Sequence, residues 1–225
     1  MEIVLQQLPE SVEGIYGDDK KLMPRAMRRL HPDAAKSYLA IDALGVKLRV
    51  SDMFRTPEAS LRAMQAKPGL VQPPGFSAHN YGFACDVDLG ACLKRFGMSK
   101  AQFNAFMESH GWTCHRLDDA RGPEDWHYNF QVRHLIEAGD KSSAAAVERK
   151  MQEFYGAQMK LDVSQAQTAL KKLRFYTGAV DGALGPATRG AVATFQHAWH
   201  ISESGLGVKT QRVLALATAT LTTVE

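Results

Sequence analysis

Cysteine is scarce in this sequence: three residues among 225, an odd number with no Cys-x-x-Cys pair. That argues against a disulfide framework and points to three reduced thiols, Cys85, Cys92 and Cys114. Long apolar runs are missing too. No stretch of about 18 apolar residues occurs, so no membrane-spanning helix is expected. The opening, MEIVLQQLPESVEG, has no basic start followed by an apolar block, and no secretory signal is expected. Neither sign of charge is in large excess. A formal net charge of +3 falls far short of the concentrated basic patch that nucleic-acid binding needs. No heptad pattern is seen, and a monomer is expected.

What is present is ordinary globular material, 45% apolar and 23% charged, enough for one large core or two smaller ones. The patterning divides it into residues 1–138, a partly helical linker over 139–160, and residues 161–225. In the first part, Asp33 is placed to cap a helix through Ala34, Tyr38, Leu39 and Ala43, which Gly45 stops. Val46–Met53 alternates apolar and polar residues and reads as a half-buried strand. Pro57 opens a second helix that reaches about Ala66. Phe83–Leu89 alternates again. Ser99 is placed to cap a helix carrying Phe103, Phe106 and Met107. Trp112–Leu117 and Trp126–Phe130 read as short strands. Strands mixed with helices in no regular βαβ order predict an α+β domain, a small mixed or antiparallel sheet with flanking helices. Beyond Leu161 strand signals vanish. Val163, Ala166, Leu170 and Leu173 follow helical spacing, as do Ala187, Ala191, Phe195 and Trp199, and Val208–Leu216 makes a shorter third helix. This predicts a three-helix bundle.

Two stretches can carry chemistry. One runs from Ser77 through His79 and Gly82 to Asp86; the other is Glu124–Phe130, with His127 lying 41 residues after Asp86. His and Asp offer the nitrogen and oxygen donors that zinc accepts, and a catalytic site usually has three protein ligands plus water. His79, Asp86 and His127 would make such a set. Gly82 lets the chain turn between His79 and the strand carrying Asp86. On that strand Ala84, Asp86 and Asp88 share a face, so the carboxylate points away from the apolar side. His127 falls opposite Trp126 and Tyr128, which are expected in the core. Glu124, just before this strand and not itself a ligand, is placed to take a proton from an attacking water. Arg55 is the candidate cation for the oxyanion of a tetrahedral intermediate. Ser77 is a candidate hydrogen-bond donor to substrate. Each residue also has a plainer reading. Either His can be structural, Asp86 and Asp88 can be solvated strand residues, Glu124 and Asp125 can open a turn, and Arg55 can pair with Asp52 or Glu58.

At these residues the sequence resembles the D-alanyl-D-alanine carboxypeptidase-type zinc peptidases, a family that includes phage L-alanyl-D-glutamate peptidases. Ser77, His79, Gly82, Ala84 and Asp86 match its first motif; Glu124, Trp126 and His127 match its second. Arg55 in SDMFRTP matches an upstream arginine, with Phe54 where members often have Tyr. The resemblance, over about Asp33 to Phe130, implies one zinc on His79, Asp86 and His127, Glu124 as general base and Arg55 as stabilising cation. The C-terminal part is similar to the type 1 peptidoglycan-binding domain. Gln167 and Leu170, then Val180-Asp181-Gly182, Gly185-Pro186 and Thr188, then Ala191, Val192, Phe195 and Gln196 carry that likeness. Leu170 and Phe195 are expected in the core.

Together the two halves predict a zinc-dependent hydrolase of peptidoglycan stem peptides. The favoured form is a phage endolysin cutting the L-Ala–D-Glu bond. It would be made in the host cytoplasm and act on the wall after release, with peptidoglycan as partner, no nucleic acid and no membrane insertion. The alternatives are a D-Ala–D-Ala carboxypeptidase and, more remotely, a non-catalytic wall-binding protein.

Overall fold

The computed structural model describes residues 2–10, 15–16, 21–67, 71–114, 124–130, 153 and 159–224. Most of the expected linker and the end of the expected Trp112–Leu117 strand lie outside these residues. The described residues fall into two compact units. One is drawn from Pro57–Gly75 and Glu153–Thr220, the other from Ile3–Thr56, Phe76–Gln152 and Leu221–Glu225. The chain is α+β, as the patterning predicts.

The larger unit is built on a four-stranded antiparallel sheet. Its strands are β5 (Val50–Asp52), β6 (Ala84–Val87), β7 (Trp112–Cys114) and β8 (His127–Phe130), in the order β5-β6-β8-β7. A second sheet has the order β4-β1-β9, with β1 at Glu2–Gln7, β4 at Arg29–Leu30 and β9 at Thr220–Val224. Strands β2 (Ile15–Tyr16) and β3 (Lys21–Leu22) form a separate short antiparallel pair among the described residues. Strand β9 corrects the expectation that strands end before Leu161. TLTTV is rich in β-branched residues, which suit a pleated surface.

Helices α1 (Pro32–Asp42), α3 (Leu89–Phe96) and α4 (Lys100–Ser109) belong to the same unit. Helix α1 is capped by His31, not Asp33. Pro32 takes the first helical position, where its fixed φ is already helical, and the cap moves back two residues. The His31 side chain accepts from the Asp33 N–H. Helix α4 starts as expected at Ser99, in a full capping box with Gln102. Helix α3 was not expected. Asp88 leaves the strand to cap it, accepting from the Ala91 N–H and pairing with Arg49 at 3.4 Å, so it does not extend the face of Asp86. Tyr38, Ile41, Phe54, Phe103, Met107, Trp112 and Tyr128 are fully buried around the sheet. Cys85, Cys92 and Cys114 are buried and in no disulfide, and burial raises the Cys85 and Cys92 thiols, which disfavours the reactive thiolate.

The smaller unit contains α2 (Pro57–Ala66), α5 (Val163–Lys172), α6 (Pro186–Ala198) and α7 (Val208–Ala217). Its core is Leu170, Val192, Phe195, Trp199, Val213 and Leu214, with Leu61 of α2 packed against them. Leu170 and Phe195 are buried, as expected. Ala187 is exposed, and the buried stripe of α6 runs instead through Thr188, Ala191, Val192 and Phe195.

One buried amide organises the loop between α5 and α6. Gln167 donates to Asp181 Oδ1 (2.7 Å), Thr188 Oγ1 (3.0 Å) and the Ala183 carbonyl (3.1 Å). Its oxygen accepts from the Asp181 and Gly182 N–H groups. The Asp181 carboxyl is lowered by that amide and by the Ala183 N–H. Gln196 does similar work between α6 and α7, donating to the Gly205 carbonyl and to Thr210 Oγ1. Gln167→Leu should therefore lower the stability of the full chain by about 1–3 kcal/mol in a denaturant titration, because the buried Thr188 hydroxyl and the loop backbone lose the amide that joins them.

Candidate metal centre

The site is assembled by strand register. Asp86 of β6 stands directly opposite His127 of β8, and Asp52 of β5 stands opposite Asp86 on the other side. Directly opposed residues on one face bring their Cβ atoms to about 5 Å. Pairing alone therefore sets a carboxylate beside an imidazole across a gap that is distant in sequence.

His79 arrives from a 3-10 turn, Ala78–Tyr81. Ser77 caps this turn, its hydroxyl oxygen accepting from the His79 N–H at 3.4 Å. Gly82 ends it in the left-handed region at φ +73°. A Cβ there would lie 2.6 Å from the His31 nitrogen and 2.7 Å from Leu5 Cδ2. Glycine is thus required by conformation and by space, as the turn between His79 and the strand demands.

Three donor atoms converge. His79 Nε2 is 3.2 Å from Asp86 Oδ1 and 3.3 Å from His127 Nδ1, and His127 Nδ1 is 2.7 Å from Asp86 Oδ1. All three residues form a group able to hold a metal ion. His79 is 2% exposed and His127 8%, so neither is a solvated surface histidine. Burial alone would raise the Asp86 carboxyl, but the imidazoles beside it, His79 foremost, hold it well below the usual carboxylate range. Asp86 stays an anion, ready to face a cation.

The far nitrogens are anchored. His79 Nδ1 donates to the Met53 carbonyl at 2.5 Å, and His127 Nε2 lies 3.0 Å from Asn129 Oδ1. Such outer partners fix ring orientation in metal sites. Neither was expected from sequence. Asn129 follows His127 at strand spacing on the same face, a signal that could have found it; the Met53 carbonyl leaves no trace in residue type.

Arg55 is clipped to the His79 turn by its backbone. Its N–H donates to the His79 carbonyl at 3.0 Å, and Asn80 Nδ2 donates to its carbonyl at 2.8 Å. Its guanidinium pairs with Asp52, the plainer reading left open above. In the row Asp52–Asp86–His127, Arg55 therefore compensates one of two neighbouring carboxylates.

Glu124 and Asp125 open a turn. The Glu124 carbonyl accepts from the His127 N–H at 3.0 Å, closing a four-residue turn whose ends lie within about 7 Å. Asp125 is paired with Lys100 at 2.5 Å, and Glu124 is half-buried. Trp126 is 45% exposed, which corrects its expected place in the core. It belongs to the turn, where strand alternation does not apply, and its carbonyl accepts from the Val87 N–H. Tyr128 is buried as expected, its hydroxyl on Asn104 Oδ1 at 2.6 Å.

The geometry defines a three-donor centre on the face of an antiparallel sheet. Residues 160–206 match the family model described as a putative peptidoglycan binding domain, over α5, α6 and the segment leading to α7. This similarity supports association with peptidoglycan through the smaller unit. No curated protein matches the chain. Among the described residues, no helix is long and apolar enough to cross a membrane.

Proposed function

We propose that the chain is a zinc-dependent hydrolase that cuts peptidoglycan stem peptides, held on its polymer by the C-terminal unit. The observation that carries this reading is the convergence of His79 Nε2, Asp86 Oδ1 and His127 Nδ1. Donors around one zinc at bonds of about 2.0–2.1 Å stand about 3.3 Å apart in tetrahedral geometry. The two separations from His79 fit that figure, and the Asp86–His127 pair is closer. Two imidazoles and one carboxylate are a common zinc set that leaves a position open.

When bound, zinc supplies Lewis acidity, polarising the scissile carbonyl and making water acidic enough to lose its proton near neutral pH. Glu124 takes that proton as water attacks and passes it to the leaving amine. Arg55, held beside the His79 turn, stabilises the oxygen that gains charge. Its pairing with Asp52 fixes its direction. Ser77 orders the turn through its cap, and its hydroxyl proton is given to the substrate as a hydrogen bond. The wall-binding unit raises the local concentration of bonds to cut.

We assign the L-Ala–D-Glu bond as the target. Purified protein loaded with zinc, incubated with peptidoglycan and read by mass spectrometry, should release fragments with a new N-terminal D-Glu. Free D-Ala would establish a carboxypeptidase instead. No released fragment at all would sink the hydrolase reading and leave a wall-binding protein.

A further inference from the structure

Neutral His127 carries one ring proton, and acceptors face both of its nitrogens. Asp86 Oδ1 lies 2.7 Å from Nδ1, and Asn129 Oδ1 lies 3.0 Å from Nε2. If the proton sits on Nδ1, that nitrogen has no lone pair to give and the centre drops from three donors to two. If it sits on Nε2, Nδ1 faces the centre as a ligand. The shorter contact favours the wrong tautomer, so something must hold the proton at the far side.

We infer that Asn129 is a positioning residue that holds the His127 proton on Nε2 and so keeps Nδ1 available to zinc. This deepens the zinc reading and rests on it. Asn129 is fully buried, and its Oδ1 is directed at the imidazole. Its Nδ2 is buried and has no hydrogen-bond partner among the described residues. An amide buried to serve the fold would be expected to use both ends. Here one end meets His127, and the other has no hydrogen-bond partner among the described residues. His79 has the equivalent lock in the Met53 carbonyl, with the opposite nitrogen exposed to the centre.

The test compares the full chain with Asn129→Leu, Asn129→Ala and Asn129→Asp. Zinc affinity is read by competition with a chromophoric chelator, and unfolding is read in EDTA. Leu and Ala should weaken zinc binding about 10–100-fold. Asp, which still accepts from Nε2–H, should bind within a few-fold of the parent. Leu should leave the metal-free melting temperature unchanged or raised, because it removes the orphaned Nδ2. Wild-type affinity in both Leu and Ala would overturn the inference while leaving the zinc centre standing. A metal-free melting temperature that falls in step with affinity would also overturn it, by showing a packing role. A parent chain that takes up no zinc would overturn the hydrolase reading and this inference together.

Discussion

Glu124→Gln should cut peptidoglycan hydrolysis by about 10²–10⁴-fold, some 3–5 kcal/mol of barrier, while zinc content and wall binding stay at the parent level. The substitution keeps the shape of the side chain and removes its capacity to accept a proton. The backbone turn that positions it depends on the Glu124 carbonyl and the His127 N–H, and neither changes. Asp125 is engaged by Lys100, which leaves the neighbouring carboxylate poorly placed to substitute. Release of muropeptide fragments over time measures the rate, and metal analysis of the same preparation measures zinc. Full activity in the variant would remove Glu124 from the mechanism. Loss of zinc would mean that it supports the centre instead.

Gly82→Ala should lower stability by about 3 kcal/mol or more and take zinc binding with it. Alanine resists the left-handed conformation at φ +73°, and its methyl would meet the backbone nitrogen of His31, which caps α1. That nitrogen also donates to the Gly82 carbonyl at 2.9 Å, so the two segments cannot separate without losing a hydrogen bond. Gly97→Ala is the control. Gly97 is also left-handed, at φ +61°, but nothing lies within 4 Å of a Cβ there. It should cost about 1 kcal/mol and leave zinc affinity unchanged. Denaturant titrations in EDTA, paired with zinc titrations, separate the two cases. Equal losses at both glycines would show that the tight approach at Gly82 is unimportant.

His79, Asp86 and His127 stood out in the sequence through strand alternation together with the likeness of their two motifs to a zinc-peptidase family. Alternation put Asp86 on the non-core face, and β6 and β8 pair in the register that sets it beside His127. Gly82 was legible because the route from His79 to β6 needs a reversal. Contacts that run through the backbone were not. The Met53 carbonyl holds His79, and the Arg55 and His79 backbones are joined, whatever the side chains at those positions. Element ends were also harder to read. Asp88 continues the β6 alternation in sequence but serves as a helix cap, since an aspartate suits either place. The partners of β1 and β9 come from opposite ends of the chain, and no local pattern announces such pairing.

Strand β9 and helix α2 have a practical consequence for dissecting the molecule. Leu221 onward contributes to a sheet with β1 and β4, while Pro57–Gly75 groups with Glu153–Thr220. No single scission of the chain yields two intact halves. Truncation after residue 138 would strip a strand from one half and leave Leu61 without the helices it packs on. Swapping in a foreign wall anchor would therefore require grafting at several junctions.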